Sequence, residues 1–195
     1  MNVRLKYDMH FTAGVYYNDA LRMNNYSLRL WMTTNSEIGE DQNIAFERIK
    51  YFVYNEMDST IFVNGTNLEQ CQRYATAGMN VTTLPTEPVD QIIGVMLFHK
   101  LNAIMEQHMI IVETELSSVL GDNITYLHSD SELTENLPMD DWWLTADLVH
   151  CDRRVYQTEQ VLALPQSSAW RDLDLNWPDA ETESDTGNVV VFADF

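Results

Sequence analysis

The chain has 195 residues, with 11 lysines and arginines against 30 aspartates and glutamates, for a formal net charge of −19. So acidic a balance argues against direct binding to a nucleic-acid backbone, which takes clustered Lys and Arg. An apolar share of 45% is enough for a packed core, and no apolar run approaches the roughly 18–20 residues that span a bilayer.

The opening "MNVRLKYDMHF" alternates in polarity and does not read as a signal peptide. Cys71 and Cys151 lie far apart with no CxxC spacing, so no disulfide framework is expected. These features predict a cytoplasmic protein with no membrane contact. The acidity is uneven. Residues 1–128 carry 8 basic and 15 acidic side chains, and residues 129–195 carry 3 and 15. The shift near His128 predicts a folded domain over 1–128 and an acidic extension over 129–195. An acidic segment is most simply a solvated face or a tail. The sharper alternative is a nucleic-acid mimic that occupies a basic site on a partner protein.

In chain order, Val3, Leu5, Tyr7, Met9 and Phe11 alternate with Arg4, Lys6, Asp8 and His10, which predicts a strand over 2–11, wet on one side. The stretch "TAGVYYNDA" reads as a polar link. It leads to a second strand in which Tyr26, Leu28, Leu30 and Met32 share a face. Phe46, Ile49, Val53 and Met57 predict a helix over 44–57. Residues 63–84 read as loop, with a turn at "NGTN" and a short helix around Cys71. A second long helix follows, with Thr86 as its N-cap, Pro88 in its first turn and a stripe from Val89 to Ile104. "HMIIVETEL" and "NITYLH" close the domain as two strands around a "GDN" turn. "DDWWLTADLV" and "RRVYQTEQVLAL" read as short strands or as a helix and a strand. "PDAETESDTGN" is an acidic linker, and the β-prone "VVVFADF" is expected to dock as an added strand.

The order β-β-α-α-β-β and several short motifs resemble the 6-pyruvoyl-tetrahydropterin synthase and 6-carboxy-tetrahydropterin synthase family. The motif places are Phe11 to Val15, Leu21 to Tyr26, Ala45 to Lys50, Met57-Asp58-Ser59 with Val63-Asn64, Pro85-Thr86 and Glu113-Thr114. The resemblance covers about residues 1–128. It implies an α+β tunnelling fold, an antiparallel sheet with two helices on one face. It also implies a homo-oligomer, a trimer or a hexamer, because such sheets join across subunits and so remove exposed edges.

The departures fall on the chemistry. The places of the family's three zinc histidines hold Val15, Arg22 and Asn24, its cysteine place holds Asn18, and its Asp–His pair survives only as Asp58 beside Ser59. Val and Arg have no lone pair to give a cation, and Asn24 alone cannot make a three-ligand site. No catalytic residue, no metal and no cofactor is expected. The resemblance does keep Glu113, whose counterpart anchors the amide and amino edge of a pterin or guanine-like ring. A fixed carboxylate accepts two parallel N–H bonds from such an edge. Glu113, Thr114 and Asp58 are therefore the candidate ligand-binding residues. For Glu113 the alternative is an acid at a strand end, solvated or paired with a cation. The five scattered histidines, His10, His99, His108, His128 and His150, show no ligand spacing. Ser117 and Ser118 lack visible His–Asp support, and Trp142 and Trp143 read as packing residues.

Two functions follow as expectations. One is a diverged, non-catalytic pterin-synthase-like protein that binds a pterin or purine-like ring. The other is a non-enzymatic interaction, assembly or inhibitor protein whose acidic extension meets a protein partner.

Overall fold

The computed structural model describes residues 4–34, 39–129, 139–148 and 169–178. The hairpin β1 (Arg4–Tyr17) and β2 (Ala20–Thr34) leads to helix α1 (Gly39–Tyr51), which widens into a π-helical turn (Phe52–Met57). Then come β3 (Ile61–Asn64), α2 (Leu68–Thr76), β4 (Val81–Leu84), α3 (Asp90–Ile104), β5 (Met109–Ser118) and β6 (Tyr126–Ser129). Two 3₁₀ turns follow, Asp141–Leu144 and Trp170–Leu173. The fold is α+β, and the described residues form a six-stranded mixed sheet in the order β4-β3-β1-β2-β5-β6. Among the described residues, no helix is long and apolar enough to cross a membrane.

The expected four-stranded antiparallel sheet is thus extended. β1, β2, β5 and β6 pair antiparallel, but β3 runs parallel to β1 and β4 parallel to β3. β4 falls in the stretch 63–84 expected to be loop, and β3 runs into its start. Each has four residues, too short to show a period, and α2 between them buries only Cys71.

The expected link "TAGVYYNDA" is mostly strand. Ala13 and Val15 continue the buried face of Met9 and Phe11, so small residues keep the period through to Tyr17. The hairpin closes at Asn18 and Asp19, both left-handed (φ 50° and 57°), the backbone that matches strand twist in two-residue loops. Opposite them on β2, Asn24, Tyr26, Leu28, Leu30 and Met32 point the same way, as do Met109, Ile111, Thr114, Leu116 and Ser118 on β5. A register shift between Trp31 and Met32 keeps the two β5 halves in phase.

This face is covered by α1, the π turn and α3. Helix α1 starts earlier than residue 44. The π turn brings Phe52, Val53 and Met57 all into the core, and the Asp58 N–H donates to the Val53 carbonyl at 2.9 Å, an i→i+5 bond. Helix α3 starts at Asp90 with Val89 as its extended cap, not at Thr86. Pro88 drives the residue before it away from helical backbone, so the helix cannot run from Thr86 through Glu87. Helix α2 lies over the opposite face, where Ile61, Val63, Cys71 and Val81 form a second small core with Tyr16, Tyr74 and Ala75.

The described parts of the acidic extension pack on the helix layer. Trp143, Leu148, Trp170 and Trp177 belong to the main core. Lys100 of α3 is fully buried, and its Nζ donates to the carbonyls of Trp142 (3.0 Å), Thr145 (2.7 Å) and Asp147 (2.5 Å). Burial pushes Lys100 down to about 8, against a smaller upward pull from Asp147. The expected elements at 153–164, the linker from 179 and the tail "VVVFADF" lie outside the described residues.

Candidate functional site

The face of β1, β2 and β5 turned away from α1 and α3 carries the polar half of each alternation. Arg29 ties three strands together there, with Nε on Asp8 (2.6 Å) and Nη1 on Glu115 (2.7 Å), while Trp31 Nε1 donates to Glu115 at 2.9 Å. Toward the hairpin end, the register sets His10 opposite Ser27 and Ser27 opposite Ser117. The next outward row sets Thr12 opposite Asn25. These residues, with Asp58 and Asn123, line a cleft of about 410 Å³, a volume within the range of small-molecule sites.

Asp58 arrives there because of the π turn. Its Oδ1 accepts the Thr12 N–H at 2.8 Å, and the Ser59 N–H donates to the Thr12 carbonyl at 2.6 Å. Ser59 is left-handed (φ 64°), which folds the chain back onto β1 just before β3 starts. The Thr12 hydroxyl donates to Asn25 Oδ1 at 2.9 Å. Behind this wall, Ser118 Oγ donates to Asp90 Oδ2 at 2.5 Å and accepts the Gly121 N–H at 3.1 Å. Burial raises Asp90, with the Ser118 bond pulling the other way. Burial, then the nearby Asp90, holds the Tyr26 phenol far above its usual range, so it stays protonated. The site offers a carboxylate, hydroxyls, amides and an imidazole, a set suited to binding a flat polar molecule through its edge.

Of the three sequence-predicted ligand residues, only Asp58 lies in the cleft. Glu113 is on the same face of the sheet, opposite Trp31 and Ser129. It sits four residues before Ser117, about 14 Å along the strand. Thr114 points to the opposite face, fully buried, between Leu30 and His128 in register. The three places that the resemblance matches to zinc histidines are neighbours on β1 and β2. Val15 pairs directly with Arg22, and Asn24 lies two residues further along β2. Val15 and Asn24 are buried, Arg22 is exposed, and Asn24 Oδ1 accepts the Leu120 N–H at 3.0 Å. Among the described residues, no group of three or more His, Cys, Asp or Glu is placed to hold a metal. His10, Ser27 and Ser117 were not paired by sequence reasoning, since only the register brings the three strands' outward positions together.

No family model matches the chain, and no curated protein matches it. Solved structures similar to it include the crystal structure of uncharacterized protein WS1659 from Wolinella succinogenes, at 8% identity and a TM-score of 0.49. That match covers 67% of this chain and 99% of the other.

Proposed function

We propose that the chain is a diverged, non-catalytic relative of the pterin synthases on a tunnelling-type scaffold, and that it binds a pterin or purine-like ring in the cleft beside Asp58. Three long antiparallel strands and the short β6, in the order β1-β2-β5-β6 with α1 and α3 on one face, support that scaffold. The β3-α2-β4 unit is an insertion into it. Residues 4–11 of β1 have no described strand on the side away from β2. Such an edge favours assembly into the trimer or hexamer the resemblance implies.

The carrying observation is Asp58. One of its oxygens is fixed by the Thr12 N–H, which orients the carboxylate in a cleft walled by hydroxyls and amides. Such a group accepts N–H bonds from a ring edge at roughly 1.5–3 kcal/mol each. A net charge of −19 disfavours a phosphorylated ligand and favours the uncharged heterocycle.

Calorimetric titration of the full chain with pterin, guanine and adenine tests this. Asp58→Asn keeps an oxygen for Thr12 but removes the charge, and binding should weaken about tenfold or more. Glu113→Gln should leave it unchanged. Loss of binding only in Glu113→Gln would move the ring toward Trp31, and indifference of the wild type to every compound would end the ring reading.

One observation favours the second reading, an interaction or assembly protein. Leu21, Met23, Val119, Leu120 and Ile124 are exposed around the hairpin end, with Met23 61% exposed. The Val119 N–H bond to the Asn25 carbonyl and the Leu120 bond to Asn24 hold this apolar surface together. A protein or second-subunit contact there predicts that Met23→Asp with Leu120→Asp lowers the assembly state in light scattering.

A further inference from the structure

The segment Ala169–Pro178 touches the domain as a bound peptide would. It forms one 3₁₀ turn, closed by Asp172 Oδ2 accepting the Ala169 N–H at 2.9 Å, and joins no strand of the sheet. Trp170 and Trp177 are buried, Leu173 and Leu175 half-buried, and the residues between them exposed.

Its seat is centred on Arg48 of α1, whose side chain is only 2% exposed. The guanidinium lies 4.8 Å from the Trp170 ring centroid and 4.1 Å from that of Trp177. Its Nε donates to the Leu175 carbonyl at 2.8 Å. The Trp177 ring also stacks on His108 at 3.8 Å and 16°, and its indole N–H donates to Glu106.

The side chains of this seat are held by the domain itself. Arg48 Nη1 donates to the Ile104 carbonyl (3.0 Å) and to Glu106 (2.6 Å), and His108 Nδ1 is bonded to Asp41 at 2.9 Å. None of those bonds needs the segment. A cation and an imidazole pre-positioned with flat faces outward make a receptor for aromatic rings.

We infer that this seat is a peptide-recognition site, separate from the cleft at Asp58. Its ligand class is a short segment of the pattern W-x-x-L-x-L-x-W, and residues 169–178 are its tethered ligand, exchangeable with the same segment of a second copy. Arg48 and His108 read the tryptophan faces, Glu106 reads one indole N–H, and Arg48 Nε reads one backbone carbonyl. Tethering supplies an effective concentration of about millimolar, so the chain's own segment wins in dilute solution.

The test uses the full chain carrying Trp170→Ala and Trp177→Ala, titrated with a fluorescent synthetic peptide of residues 169–178. Binding is expected in the double variant, at least tenfold weaker binding in the wild type, and loss on adding Arg48→Met. A folded double variant that ignores millimolar peptide, or a wild type that binds equally well, overturns the inference. Should the double variant fail to fold, the wild-type chain decides. With ¹⁵N-labelled protein, excess unlabelled peptide should move the Trp170 and Trp177 indole N–H resonances to released positions. Resonances that stay in place at several millimolar peptide refute the exchange.

Discussion

Gly94 sits where α3 crosses β6, and replacing it with alanine sets two effects of opposite sign against each other. Alanine in a helix interior is worth about 1 kcal/mol over glycine. A Cβ at this position, however, would lie 2.3 Å from His128 Nε2 and 2.5 Å from its Cδ2. The imidazole is buried, with fully buried Thr114 beside it on β5, so it has little room to swing. Forcing a methyl into such packing costs about 1–3 kcal/mol. Gly94→Ala should therefore lower stability by a net ~1 kcal/mol in urea denaturation of the full chain. In a His128→Ala background the clashing atoms are gone, and the same substitution should raise stability by about 1 kcal/mol. A stabilising Gly94→Ala in the wild type, or the same sign in both backgrounds, would refute the contact between Gly94 and His128 as the reason for the glycine.

Lys100 gives a pH dependence of defined sign. Burial lowers it to about 8 from 10.5, so between those values the unfolded chain holds the extra proton and stability rises with pH. The stability of the wild type minus that of Lys100→Met should increase from pH 8 to 10.5 by up to roughly 3 kcal/mol, and a flat or falling difference in denaturation curves would contradict the burial argument. At the hairpin tip, Asp19→Gly relieves a left-handed non-glycine residue (φ 57°) at the cost of the 3.3 Å bond from the Tyr16 hydroxyl. It should raise the melting temperature, with a gain of about 0.5–1 kcal/mol. Because Val15, Arg22 and Asn24 leave no ligand set, elemental analysis of dialysed protein should find well under one zinc per chain. A stoichiometric, dialysis-resistant zinc would reverse that reading.

The half of the hairpin away from its turn, α3 and β5 were legible because their apolar residues repeat over many positions, whereas the half beside the turn read as a polar link. The short helix around Cys71 was legible, but the strands β3 and β4 that flank it were not, since a four-residue strand is shorter than any period it could display. The family resemblance singled out Asp58, which lines the cleft, but nothing in the sequence grouped its neighbours there with it. His10, Ser27 and Ser117 come from three strands, and only the register of hydrogen bonding makes them neighbours. Arg48 and Lys100 were hidden for another reason. A basic residue in a helical pattern reads as solvent-facing, and here their partners come from segments 40 to 130 positions further along the chain. No local rule reports a contact at that separation.

The wide turn at Phe52–Met57 makes the cleft depend on a count of residues. A π turn carries about one more residue than an α turn for nearly the same advance of the helix, and here that extra residue supplies chain between α1 and β3. Deleting one residue between Phe52 and Glu56 would return the stretch to ordinary α geometry at nearly unchanged phase, but the i→i+5 bond from Asp58 to Val53 would be lost and the chain would be one residue short on its way to β1. Asp58 would then no longer meet the Thr12 N–H, and Ser59 would no longer clip β1. A gain or loss of one residue in this stretch is therefore enough to create or erase the carboxylate wall of the cleft while leaving every side chain that lines the strands untouched.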